Sequence, residues 1–285
     1  VAVITVQTFF DRWPNQRDVR VAYRSALVAS ARYLDDQPQG GLAVVSSIYP
    51  GALHDPLTFD FSVHRDDLET RWCDGRFGLI LPDAPEAWTI FSALAPLDTA
   101  LEPFFAPSAQ RAAQVTLRAD DLDPWFEVYR WRPREAVDRL PREEPVDVGH
   151  VLDFVGHRLL TPSVPSGGTV ELLTFWRVPQ VLSTDETAVS IPSGTSDGTP
   201  LVLFTHVLDG AGQIVGQQDR LDVPASTWAP GDYLVQLHRF PLDAGLAPGN
   251  YALHIGVYIQ TEGYPRLPVY ALEAPSGITD HIVLP

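Results

Sequence analysis

Between Tyr251 and Ile259 apolar side chains recur at every second position: Tyr251, Leu253, Ile255, Val257 and Ile259. A strand turns successive side chains to opposite faces, so this period predicts a strand with one buried face. The same reading along the second half of the chain predicts strands over 151–160, 169–178, 201–208, 213–221, 233–241, 250–259 and 267–272, nearly all separated by Gly or Pro. Short strands at this spacing predict an antiparallel sandwich, Ig-like or jelly-roll. In the 201–208 run, Val202, Phe204, His206 and Leu208 share one face. Asp209-Gly210-Ala211-Gly212 follows, residues that tolerate the backbone of a reversal, and Gln213 starts the return. That predicts a hairpin. The polar stretch 183–200 is rich in turn residues and predicts a long loop.

The first half has a different period. From Arg17 to Asp36 the apolar residues Val19, Ala22, Tyr23, Ala26, Leu27, Tyr33 and Leu34 fall at helical spacing, with Arg and Asp opposite. Asp18 is the expected N-cap, and Gln-Pro-Gln-Gly-Gly at 37–41 stops the helix. The β-branched run 42–48 predicts a buried strand. Further strands are expected at 58–63, 77–81, 88–93, 113–117 and 125–131, with a short helix at 97–105. The segment 133–147 is charged and broken by proline, as a linker would be. The fold class expected is α+β, mostly β. An α/β domain at 1–132 is followed by a linker at 133–147 and a β-sandwich at 148–285.

Composition narrows the function. The chain has 285 residues, 45% hydrophobic and 20% charged, enough for two cores. Its net charge of -16, with every cation an Arg, offers no basic face for nucleic acid. The single cysteine, Cys73, excludes an internal disulfide and any Cys-based zinc motif. Its arginine neighbours in RWCDGR would favour a reactive thiolate, and a small buried filler is the competing reading. No stretch is long and apolar enough for a membrane span. The chain begins VAVITVQTFF and contains no Met. This reads as an excised piece, its apolar start being either the tail of a longer hydrophobic segment or the start of a local element.

Signatures of chemistry are sparse. The sequence has no G-x-S-x-G elbow, no H-E-x-x-H and no phosphate-binding glycine loop. Asp121-Leu122-Asp123 is a pair of hard oxygen ligands of the kind that hold a divalent ion against a diphosphate. In so acidic a chain the same motif also arises as a solvated loop. His206, His238 and His254 would converge if their strands were neighbours, or else serve as satisfied side chains of the sheets. No Ser/His/Asp set is nominated, and neither a catalytic residue nor a cofactor is expected. Trp176, Trp228, Tyr233, Tyr258 and Tyr264 fall in the expected sandwich, where aromatics either pack the core or offer a face to a sugar ring. Trp228, in the loop STWAPGD, is the one expected to be exposed.

Three tracts in the first half, TFFDRWPNQRDVRVAYRSALVASARYLDD, LAVVSSIYPG and RWCDGRFGLILPDAP, resemble the soluble region that follows the membrane helices of bacterial family 39-like glycosyltransferases, relatives of the protein mannosyltransferases. In the second half, LVLFTHVLDGAGQIVGQQDRLD, STWAPGDYLVQLHRFPLD and LAPGNYALHIGVYIQTEGYPRLPV resemble the β-sandwich that some of them append. The family's catalytic acidic residue lies in membrane segments absent from this sequence, so no catalytic residue carries over. The resemblance implies a non-catalytic, extracytoplasmic accessory domain, periplasmic or on the cell surface. It would attach to the membrane only through a transmembrane region ahead of it, and its partner would be a glycan or a glycosylation acceptor. The alternative is a free-standing carbohydrate-binding or adhesion protein; a hydrolase or metal-dependent transferase using Asp121 and Asp123 or a histidine cluster is a third reading. On either binding reading, the residues expected to meet a ligand are Trp228, Asp219, Asp232 and Tyr258.

Overall fold

A computed structural model describes residues 5–180, 201–270 and 278–284. The protein is mostly β, with three sheets and short helices, the α+β class expected. After a π-helical turn at Gln7–Arg12 come helices α1, Arg17–Ala22, and α2, Ser25–Asp35. The expected single helix is therefore broken. Arg24 between the two has φ 52°, in the left-handed region, and its guanidinium is held by Asp55. Asp18 is not the N-cap: Gln16 takes that place, and Asp18 lies in the first turn, where an acid favours the helix dipole. No helix among the described residues is long and apolar enough to cross a membrane.

The first sheet has the order β2-β1-β4-β6-β5. Its strands are β1 (Gly41–Ser46), β2 (Leu68–Cys73), β4 (Ala87–Ser92), β5 (Ala109–Thr116) and β6 (Trp125–Trp131). β1 is parallel to β2 and β4, and the β4–β6–β5 edge is antiparallel. α2 buries Leu27, Ala31 and Leu34 on this sheet against Val45, Trp72 and Phe126. The strand expected at 58–63 is instead helix α3, Asp55–Asp60. Asp55 and Pro56 are helix-starting residues. The alternation of Thr58, Phe59, Asp60 and Phe61 only imitated a strand, and it leaves Phe59 buried and Phe61 81% exposed. The helix expected at 97–105 contracts to α4, Glu102–Phe105, with a 3-10 turn after it.

The second sheet runs β14-β7-β8-β9-β12-β3. It contains β3 (Gly78–Leu81), β7 (Val146–Val148), β8 (Leu152–Leu159), β9 (Thr169–Arg177), β12 (Tyr233–Pro241) and β14 (Val269–Tyr270). The third is β11-β10-β13-β15, from β10 (Leu201–Leu208), β11 (Ile214–Asp219), β13 (Ala252–Ile259) and β15 (Ile282–Leu284). Leu203 and Val257 of the third sheet pack with Leu172, Phe175 and Leu237 of the second. The loop expected at 183–200 lies outside the described residues.

The halves are not separate. β3 comes from the first half and pairs with β12 at Tyr233↔Leu81 through Gln236↔Gly78. The expected linker is ordered at both ends, by α5 (Pro133–Val137) with Ala136 buried and by β7. One apolar core runs from Val44, Cys73 and Phe91 through Leu79 and Leu81 to Phe175 and Leu234. The boundary expected near residue 132 therefore cuts through a continuous core.

Candidate functional site

The hairpin between β10 and β11 forms as the sequence predicts. Asp209 Oδ1 accepts from the amides of Ala211 at 2.9 Å and Gln213 at 2.8 Å, and Gly212 takes φ 76°. Alternation along β10 then sorts its side chains. Leu201, Leu203, Thr205 and Val207 face the second sheet, while Val202, Phe204 and His206 face outward. Register completes the outward face: Phe204 stands opposite Asp219 of β11 and Gly256 of β13, His206 opposite His254, and Val202 opposite Tyr258.

Beyond β13 the chain folds back across this face. Tyr258 bridges Arg266, and the turn between them puts Gly263 at φ 82° and Tyr264 at φ 45°. A non-glycine residue there costs about 1–3 kcal/mol, and such strain gathers at binding sites. The result is a cleft of about 310 Å³ lined by Phe204, His206, Asp219, Tyr258, Tyr264 and Arg266. The rings of Tyr258 and Tyr264 meet at 81° with centroids 6.0 Å apart, forming an aromatic corner whose outer wall, Tyr264, is 62% exposed. Arg266 lies over the Phe204 ring at 4.4 Å and is paired with Asp280 at 3.1 Å. Asp219 contacts His206 Nε2 at 3.3 Å. Burial raises the Tyr258 pKa, and the neighbouring Asp219 carboxylate adds to the shift.

A histidine pair borders the cleft. His281 stacks on His254 with centroids 4.2 Å apart. Burial lowers the His254 pKa, and the nearby His281 and His206 lower it further. Asp280 is held below the usual carboxylate range first by its hydrogen bond to His281, then, after a smaller opposing effect of burial, by Arg266. His238 is not part of this group. It is buried between the second and third sheets, bonded to Thr174 at 2.9 Å and Thr205 at 3.0 Å.

Of the residues expected to bind ligand, Asp219 and Tyr258 come together in the cleft, and Trp228 and Asp232 do not. Trp228 is not the exposed aromatic expected: it is half-buried against the core, and its Nε1 donates to Val223 O at 3.0 Å. Asp232 is 1% exposed and accepts from Arg71 Nε at 2.7 Å and from the amides of Asp83 and Ala229 at 3.0 and 2.9 Å. Its oxygens are spent on holding the two halves together. The metal candidates are committed as well. Asp121 accepts from Arg20 Nε at 2.5 Å, and Asp123 from the Leu94 amide at 3.2 Å. Among the described residues no three His, Cys, Asp or Glu side chains are grouped to hold an ion. Cys73 is fully buried, and burial pushes its pKa up, away from the reactive thiolate.

Phe204, Tyr264 and Arg266 join the site although the sequence does not nominate them as ligand residues, Tyr264 standing only among the aromatics of the expected sandwich. Phe204 could be placed beside His206 by the alternation of β10. Tyr264 and Arg266 depend on the return of the chain after β13. Among the described residues the cleft's lining brings two tyrosines, an acceptor carboxylate, an imidazole and a guanidinium together around one concave surface.

No protein-family model matches this chain, and no curated protein does. Among solved structures, the crystal structure of the C-terminal domain of wzt is similar over 51% of this chain and 81% of that one. The identity is 13% and the TM-score 0.29, too slight a likeness to carry an argument.

Proposed function

We propose that the chain is a non-catalytic glycan-binding module and that the sugar sits in the cleft on the third sheet. The observation that carries this reading is the Tyr258–Tyr264 corner beside the exposed Asp219 carboxylate. A sugar ring has apolar C–H faces and a rim of hydroxyls. Tyr264 offers a flat apolar face, and Asp219 and Arg266 offer an acceptor and donors at its edge. A concave site with few, convergent polar groups is the usual form of a small-ligand site.

The tracts resembling family 39-like glycosyltransferases support a setting for this module. It would be the extracytoplasmic part of a membrane glycosyltransferase-like protein, holding a glycan or acceptor for chemistry done elsewhere in that protein. Blotting membrane and soluble fractions of the source organism tests the setting: a soluble band near 31.4 kDa would overturn it.

Binding itself is tested on an oligosaccharide array followed by titration calorimetry. Tyr264→Ala should weaken binding about tenfold, the loss of one stacking contact of ~1–1.5 kcal/mol. Trp228→Ala should leave the affinity of the folded protein unchanged. Silence across the array, or loss with Trp228→Ala and not with Tyr264→Ala, would remove the cleft from consideration.

A further inference from the structure

We propose that the cleft selects uncharged sugars with adjacent hydroxyls and turns away sugars bearing a carboxylate or sulfate, an inference that rests on the glycan reading above. The charges that line the cleft decide this. Among the described residues Arg266 is the cleft's one guanidinium, and it does not stand as an unanswered charge. Its charge is answered by Asp280 at 3.1 Å, and its plane lies over Phe204 at 4.4 Å. An anion approaching Arg266 also meets the Asp280 carboxylate beside it.

Asp219 is in the opposite position. Its neighbours are an imidazole, His206 Nε2 at 3.3 Å, and the Tyr258 hydroxyl, and among the described residues no Arg is paired with it. Its side chain is 36% exposed beside the aromatic corner. A carboxylate has about four lone-pair sites, so Asp219, with His206 and the Tyr258 hydroxyl beside it, keeps capacity to accept from sugar hydroxyls. Hydroxyl donors held by an ionised acceptor make the stronger class of hydrogen bond. A sugar carboxylate or sulfate set against Asp219 meets a like charge in a half-enclosed space, where screening by water is weakened. The net charge of -16 adds a repulsive field of the same sign. At about 310 Å³ the cleft is at the small end of ligand sites, so a mono- or disaccharide would have its substituents close to Asp219.

The test titrates the whole chain with pairs of oligosaccharides that differ only in a terminal hexose or the corresponding hexuronic acid. The hexose member should bind at least ~tenfold tighter, and the gap should shrink as salt rises from low to molar concentration, because screening acts on the repulsion. Asp219→Asn should narrow the gap from both sides, weakening the hexose and strengthening the uronate. The salt series needs only the unaltered protein, so it decides the matter even if the variant misfolds. Equal or tighter binding of the uronate would overturn the selectivity while leaving the glycan reading in place. Binding of neither member, together with silence on the array, would overturn both.

Discussion

His238 sits where the second and third sheets meet, its two ring nitrogens engaged by Thr174 and Thr205. Burial pushes its pKa down to about 3, with a smaller contribution from Arg220. The unfolded chain would take up a proton near pH 6.5, which the folded protein refuses until about 3. This histidine's stabilising effect is therefore intact above about pH 6.5. It is lost as pH falls towards 3, by about 1.4 kcal/mol per pH unit. Urea unfolding at pH 7.5 and pH 4.5 should show a steep acid loss that His238→Gln flattens. An unchanged pH slope in the variant would mean that other groups set the acid response. The same residue scale shows where sequence reading stops. Trp228 and Asp232 are chemically suited to meeting a ligand, yet each is consumed by a partner: Val223 five residues before Trp228, and Arg71 far away in the first half of the chain. Residue type marks what a side chain is able to do, and only the fold shows what it is left free to do.

At the scale of elements, β13 carries the site because one of its positions has no side chain. A Cβ on Gly256 would come within 2.5 Å of Phe204 Cζ and 3.1 Å of Asp280 O. The Phe204 ring crosses β13 at that gap, and it is itself buried at 2% exposure beneath Arg266, so it has little room to yield. Gly256→Ala should cost about 1–3 kcal/mol, the usual range for overpacking, and should weaken ligand binding by shifting the floor of the cleft. Gly249→Ala, just ahead of β13, meets nothing within 4 Å and serves as the control. Equal denaturant midpoints for the two variants would show that Phe204 moves aside freely. The strands of the second half were legible because their alternation is clean and Gly or Pro punctuates them; β12 falls at 233–241 as expected. β2 was not legible. LETRWC puts Glu, Thr and Arg into a strand, and the inward Arg71 is answered by Glu69 two residues before it and by Asp232, 161 residues away. β7 and β15, three residues each, are too short for a period to register. The cleft was legible in part: Asp219 and Tyr258 are nominated as ligand residues, Phe204 and His206 share a strand face, and Tyr264 stands among the candidate aromatics. Its members are gathered by strand register and a return turn, which leave no local pattern.

At the scale of the whole molecule, the two halves of the chain share a sheet and a core. β3 extends the second sheet with a strand of the first half, the Asp74 amide donates to Asp222 O at 2.8 Å, and the Trp72 amide donates to Thr227 Oγ1 at 3.3 Å. Arg71 and Asp232, 5% and 1% exposed, form a buried ion pair at this junction. Desolvating both charges makes the intact pair a modest contributor. Among the described residues, removing Asp232 leaves the buried Arg71 with only the exposed Glu69 carboxylate at 2.7 Å and frees the Asp83 and Ala229 amides, at a cost of about 3–5 kcal/mol. Asp232→Ala should therefore lower the melting temperature by roughly 10 °C, at about 2–4 °C for each kcal/mol lost in a chain of this size class. The loss should move the whole transition, because Asp232 lies in the second half of the chain and its partner Arg71 in the first. Replacing both, as Arg71→Met with Asp232→Ala, should recover part of the loss, since no charge is then left buried without a partner. Scanning calorimetry of the three proteins distinguishes the possibilities. A single peak that shifts as a unit and partly returns in the double variant fits one continuous core. Two peaks, with only the upper or the lower one displaced, would mean that the halves melt independently and that β3 is a tether between two bodies.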